Sequence, residues 1–169
     1  MIRPILKYGA PELQSPSQPV TAFDRDLEAL AVDMLETMYA APGIGLAAPQ
    51  VGVAIRLLVI DLSAGQEQGH QIILANPEVV EEEGSQREEE GCLSVPGFTA
   101  PVTRPLWVKV RGQDLKGERV EFAGKELLAR ALCHEIDHLD GILYIDRISV
   151  FKRDSIKRRI RKLIKAGEW

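Results

Sequence analysis

Leu27, Leu30, Ala31, Met34, Leu35 and Met38 recur at the spacing of one buried helical face. They predict a helix over 24–40, with Asp24 as its N-cap and Pro42-Gly43 as its stop. From Ile55 to about Phe122 the period shortens. Segments 55–62, 71–76, 106–111 and 119–122 are short, rich in Val, Ile and Leu, and separated by Gly, Pro or Asn-Pro, which predicts strands. Val108 and Val110 alternate with Lys109 and Arg111, as in a half-buried strand. Strands this close together, with no helical pattern between them, predict an antiparallel meander and not a parallel doubly wound sheet. A second helix, 125–139, is stopped by Gly141. A third, 150–166, has Ile156, Ile160, Leu163 and Ile164 on one stripe with basic residues around it. The expected class is α+β, with antiparallel sheets packed around the central helix 125–139 and a helix towards each end.

The chain has 169 residues, enough for one domain with its own core and short for two. Residues 1–169 are therefore expected to form a single domain, with 150–166 as an appended basic amphipathic helix. At 45% hydrophobic and 27% charged, the composition is that of an ordinary globular protein. Two cysteines, Cys92 and Cys133, cannot build a disulfide framework, leaving one bridge, free thiols or a metal site. No apolar run approaches the roughly 18 residues that span a bilayer, and residues 1–9 lack a signal-peptide core. A cytoplasmic, reducing location is the expectation, with no membrane partner. The net charge of −4 is unevenly spread: residues 152–169 hold eight Lys and Arg against Asp154 and Glu168, a net +6, leaving −10 elsewhere. A basic tail on an acidic body favours an anionic partner, although a solvated helix face explains such a run equally well.

His134-Glu135-Ile136-Asp137-His138 lies inside the second helix. At about 100° per residue, His138 falls about 40° from His134 one turn along, so both imidazoles can bind one ion. Glu135 falls about 60° from His138, where its carboxylate can take a proton from metal-bound water. Two surface histidines around a helix-favouring Glu would look the same, yet two of only three histidines occupy this pattern. A catalytic site also needs a third protein ligand and an open position. The longer pattern H-E-x-x-H-x-x-G-x-x-H matches through Gly141 and then meets Tyr144, and the only later Glu is Glu168. Both features disfavour a zinc peptidase of the HExxH class, the main alternative. The remaining candidates are His70, Cys92 and Cys133. Cys133 falls about 140° round the helix from His138, and His70 follows a polar, Gly-rich loop. Cys92, between Gly91 and Pro96, is placed to present a thiolate, and a Cys-His-His set suits Zn(II) or Fe(II).

Gly43-Ile44-Gly45-Leu46-Ala47-Ala48-Pro49-Gln50 contains G-x-G-x-x-A, but a helix precedes it and Pro49 follows, so it is no dinucleotide fingerprint. Its glycines suit close backbone approach to a ligand, with Gln50 as an uncharged donor. Together with Glu90-Gly91-Cys92-Leu93-Ser94 and the helical HExxH, this segment closely resembles the three motifs of the peptide deformylases, in the same order. Spacing, length and the terminal helix resemble that family across nearly the whole chain, in the form usual in Gram-negative bacteria.

The resemblance implies removal of the formyl group from the N-terminal formyl-methionine of nascent polypeptides. By motif, Cys92, His134 and His138 would bind the metal. Fe(II) is the ion expected in the cell, replaceable by Zn(II), Ni(II) or Co(II). Glu135 would be the general acid/base, and Gln50 and the Leu93 N–H would stabilise the oxyanion. Ile44, Gly45 and Leu46, with Gly91, would line the cleft. A ribosome contact through the basic helix is also implied, and no DNA partner is. Helical geometry adds that Leu127, Arg130 and Ala131 lie within about 60° of His134, which points to the wall of a pocket for the Met side chain, formed by the two apolar residues and the arginine stem. A non-catalytic, metal-stapled module would have no need of Glu135. Glu81, Glu82, Glu83, Glu88 and Glu89 read as exposed positions without a role, and Asp137 and Asp140 as either supports for the metal ligands or helix-end groups.

Overall fold

All four residues of Leu57–Ile60 are buried, because this short strand lies between two cores. The computed structural model describes residues 1–169. Its strands are β1 Gly45–Ala47, β2 Leu57–Ile60, β3 Ile72–Glu83, β4 Gln86–Cys92, β5 Val95–Arg104, β6 Trp107–Gln113 and β7 Arg119–Lys125. Its helices are α1 Arg25–Ala40, α2 Leu127–Leu139 and α3 Val150–Lys165. Leu57 and Val59 pack with Leu30, Met34 and Met38 of α1, while Leu58 and Ile60 pack with Leu132, Ile136 and Leu139 of α2. Alternation along β2 thus serves both faces of the sheet.

Strands β1, β2, β3, β6 and β7 form one antiparallel sheet in that spatial order, and β4 and β5 form a separate antiparallel pair. The α+β class agrees with the sequence pattern. A plain meander does not, because the β4–β5 hairpin leaves the sheet between β3 and β6. Strand β3 also runs seven residues past its expected end at Asn76. Asn76 is not a terminator: at φ 50 it makes a bulge, and its side chain bonds the N–H and carbonyl of Val20. The polar stretch beyond it still finds ladder partners, Glu81 with Lys109 and Glu83 with Trp107.

Asp24 caps α1 by accepting from the Leu27 N–H at 3.0 Å. Helix α2 starts at Leu127 because Gly124 and Lys125 still pair with Val108 and Trp107, and Glu126, at φ 54, turns the corner. Gly141, at φ 77, follows its C-terminal end. A third core joins the hairpin to α3 through Val95, Phe98, Val102, Tyr144, Ile156 and Ile160. Ile164, expected on the same stripe, is 52% exposed, since it lies at the stripe's edge about 80° from Ile156. No helix is long and apolar enough to cross a membrane. Helix α2 therefore faces the sheet on one side and the hairpin on the other. The His134 side faces the hairpin.

Candidate metal centre and the cleft above it

Cys92 comes from the end of β4, and His134 and His138 from successive turns of α2. Their donor atoms lie within 4.8 Å of one another. Cys92 Sγ is 3.3 Å from His138 Nε2, and the two imidazoles meet edge to face with centroids 5.0 Å apart. An ion bound at about 2.3 Å from sulfur and about 2.1 Å from nitrogen holds such atoms about 3.6 Å apart. His134 donates its Nδ1–H to Glu90 Oε1 at 2.8 Å, which leaves Nε2 free for a cation. Burial opposes a charge on His134, but Glu135, Cys92 and Glu90 outweigh it and raise its pKa well above the ordinary value. Burial and the neighbouring His134 charge push His138 well below its ordinary value, towards the neutral form that ligates. The donor set fits a transition-metal dication.

A buried charge network stands behind these candidate ligands. Glu90 accepts from Arg104 Nε and Nη2, both at 2.9 Å, and from Arg130 Nη1. Arg104 Nη1 reaches Asp137 Oδ2 at 2.6 Å, and Arg147 closes on the same carboxylate at 2.6 and 2.8 Å. Burial raises the pKa of Glu90, yet Arg104 and His134 prevail and hold it at about 2. Asp137 thus belongs to the charge network behind the candidate ligands, whereas Asp140 ends α2 and pairs with Arg56 at 2.8 Å.

Glu135 is buried, with Oε1 lacking any hydrogen-bond partner. Burial pushes its carboxyl up to about 7, against the pull of His134. Gly45 leaves room for it: a Cβ there would lie 2.5 Å from Glu135 Oε2. Gln50 fixes its own amide by accepting from the Ala47 N–H at 2.9 Å, which turns Nε2 towards Ser94 Oγ at 3.0 Å and Cys92 Sγ at 3.7 Å. The Leu93 N–H, in the turn between β4 and β5, finds no acceptor among the loop hydrogen bonds.

A cleft of about 690 Å³ opens over these groups. It is lined by Ile44, Gly45, Gly91, Leu127, Arg130 and Ala131, together with Gln50, Cys92, Leu93, His134 and Glu135. Leu46 does not line it. The alternation of β1 turns that side chain into the α1 core, where it is fully buried. Cys133 faces away from the centre, its thiol pushed up to about 11 by burial, and His70 is a loop residue paired with Glu67 at 2.9 Å. Glu90, Arg104 and Tyr144 are the residues of this region to which sequence reasoning gave no role. A signal existed for Arg104: Ala100, Val102 and Arg104 alternate inward along β5, a charge in a core position.

The model of the Polypeptide deformylase family matches residues 2–154. A Peptide deformylase from Acidobacterium capsulatum is 57% identical over 169 residues, covering 100% of this chain and 99% of that protein. The chain belongs to the peptide deformylase family. Among solved structures, the peptide deformylase of Legionella pneumophila superposes with a TM-score of 0.91 at 43% identity, over 99% of this chain and 98% of that one. That of Thermus thermophilus gives 0.89 at 38% identity, over 99% and 98%. Peptide deformylases are metal-dependent hydrolases that remove the N-formyl group from nascent formyl-methionyl polypeptides and release formate, and this is the activity of the chain.

Proposed function

We propose that Cys92, His134 and His138 hold one Fe(II), replaceable by Zn(II), Ni(II) or Co(II), and that Glu135 is the general acid/base of deformylation. The observation that carries this reading is the meeting of three donors, two of which (Cys92 and His134) line the same cleft as Glu135, whose buried Oε1 has no partner. When bound, the ion supplies Lewis acidity, polarising the formyl carbonyl and easing the deprotonation of water. Glu135 takes the proton of the attacking water and returns it to the departing amine. A carboxyl near neutrality suits both transfers. Gln50 Nε2 and the Leu93 N–H donate to the formyl oxygen as it gains charge, each such donor being worth about 3 kcal/mol of barrier. Ile44, Gly45 and Gly91 flank the peptide. Leu127, Ala131 and the stem of Arg130 enclose the Met side chain; the guanidinium of Arg130 is turned away to Glu90 and the Val102 carbonyl.

Residues 1–169 act as one domain in this reading, working in the cytoplasm, where nascent chains emerge. The basic residues of α3 that face outward, among them Arg158, Arg161, Lys162 and Lys165, meet ribosomal RNA phosphate. The deciding experiment is turnover of a formyl-Met tripeptide under anaerobic conditions with metal analysis on the same sample. Glu135→Ala should keep metal and fold while kcat/KM falls by about 10²–10⁴-fold. Unchanged turnover would sink the role of Glu135, and full metal occupancy in Cys92→Ser would reopen the peptidase alternative.

A further inference from the structure

Pro96, Gly97 and Phe98 line the cleft but stand outside the β4–β5 ladder. Cys92 pairs with Val95 and Gly91 with Thr99, so this part of β5 bulges out with nothing opposite it on β4. Gly97 takes the left-handed conformation at φ +85, with open space where a Cβ would stand. A bulge of this size forfeits ladder hydrogen bonds and needs other anchors. They come from the C-terminal part of the chain. Tyr144 Oη donates to the Phe98 carbonyl at 3.1 Å from a buried position. The Arg159 guanidinium lies 5.0 Å from the centroid of the Phe98 ring, and Trp169 packs on that ring at 6.3 Å. The Tyr144 ring is itself stacked on His134, 6.3 Å away and tilted by 21°. One side chain therefore touches both the helix that carries the metal ligands and the far wall of the cleft.

We propose that Tyr144, backed by Arg159, is a positioning residue for substrate: it holds the Pro96–Phe98 bulge rigid as the wall against which the peptide beyond formyl-Met lies. The inference rests on the deformylase reading of the cleft. In that reading the Met side chain is taken by Leu127, Arg130 and Ala131 on α2, and the hairpin side is left for the residues that follow. Without the phenol, the Phe98 carbonyl loses its side-chain donor and the bulge is free to shift. A residue that served only to fill the core would affect every substrate alike.

Tyr144→Phe keeps the ring over His134 and removes only the hydroxyl. With a formyl-Met tetrapeptide, KM should rise about three- to tenfold, the effect of one neutral hydrogen bond, while kcat stays within about twofold. With formyl-methionine amide, which ends at the Met, both constants should stay within about twofold. Arg159→Ala should shift KM for the tetrapeptide in the same direction. The double variant should fall short of the product of the two effects, because both act on Phe98. Metal content and Tm of Tyr144→Phe, measured on the same samples, separate positioning from loss of fold. An unchanged KM for the tetrapeptide, an equal change with both substrates, or a fall in metal content would overturn the proposal. Failure of the unaltered protein to deformylate either substrate would instead count against the reading of the cleft.

Discussion

Glu90 answers two arginines and a histidine with one buried carboxylate. Its value lies less in net attraction than in what its loss leaves behind: Arg130 would be buried without a counter-charge, and Arg104 would keep only Asp137, which Arg147 shares. Glu90→Gln should therefore cost about 3–5 kcal/mol of stability in denaturant unfolding. It should also weaken metal binding by about 10–100-fold in a chelator competition, since the Nδ1 partner of His134 sets how that ring presents Nε2. Full stability with full affinity would show the network to be ornamental. Residues at this scale are unequally legible. His134, Glu135 and His138 stand out because a helix places i and i+4 on one face, whatever surrounds it. Glu90 stands at the end of an acidic run, and such runs are as a rule solvated; only the inward turn of one member of the run sets it apart. In sequence Tyr144 signifies only the histidine it replaces, and its hydroxyl gains meaning when Phe98, far away along the chain, comes within reach.

Elements follow from sequence wherever one face is apolar and the other polar. The three helices and the alternating strands β6 and β7 announce themselves in this way, whereas β2 reads only as an apolar run buried on both faces and β1, inside the glycine segment, gives no strand signal. The departure of the hairpin does not, because β4 reads Gln-Arg-Glu-Glu-Glu-Gly-Cys and owes its place to ladder bonds and a buried ion cluster, neither of which has a hydrophobic period. The junction of α1 with the end of β2 shows how polar groups fix elements as well. Asp61 accepts from Tyr39 Oη and Ser63 Oγ at 2.6 Å each, and from the Ser63 N–H at 2.9 Å. Burial works against its charge, but these donors hold its pKa below the ordinary carboxylate value. A depressed folded-state pKa stabilises the fold above the ordinary carboxylate pKa, and that stability is lost as pH falls through the depressed value. Asp61→Asn should lower Tm at pH 7 and flatten the fall of Tm between about pH 5 and pH 2. Parallel acid profiles for the two proteins would refute this.

At the scale of the molecule, charge and chemistry are segregated. The cleft is built by α2, β1 and the hairpin, while the excess positive charge sits on α3, packed against the hairpin's other side by Ile156 and Ile160. Reversing Arg158, Arg161, Lys162 and Lys165 to Glu leaves that apolar stripe intact. Deformylation of a free peptide should then be unchanged, whereas co-sedimentation with ribosomes, itself weakened by added salt, should be lost. Equal co-sedimentation of the two proteins would leave the basic face as a solvated surface. The same layout bears on how the molecule holds together. The candidate ligands belong to separate pieces of chain: Cys92 ends a hairpin strand, and His138 lies 46 residues further on, in a helix. A cation gripped by both closes that loop, restricting the unfolded chain as a covalent bridge would in a protein whose two cysteines are both free. Metal occupancy and the docking of the hairpin on its helix then become two readings of one equilibrium. Under the proposed ligand set, the ion that serves the reaction would also be the clasp that keeps the wall of the cleft in place.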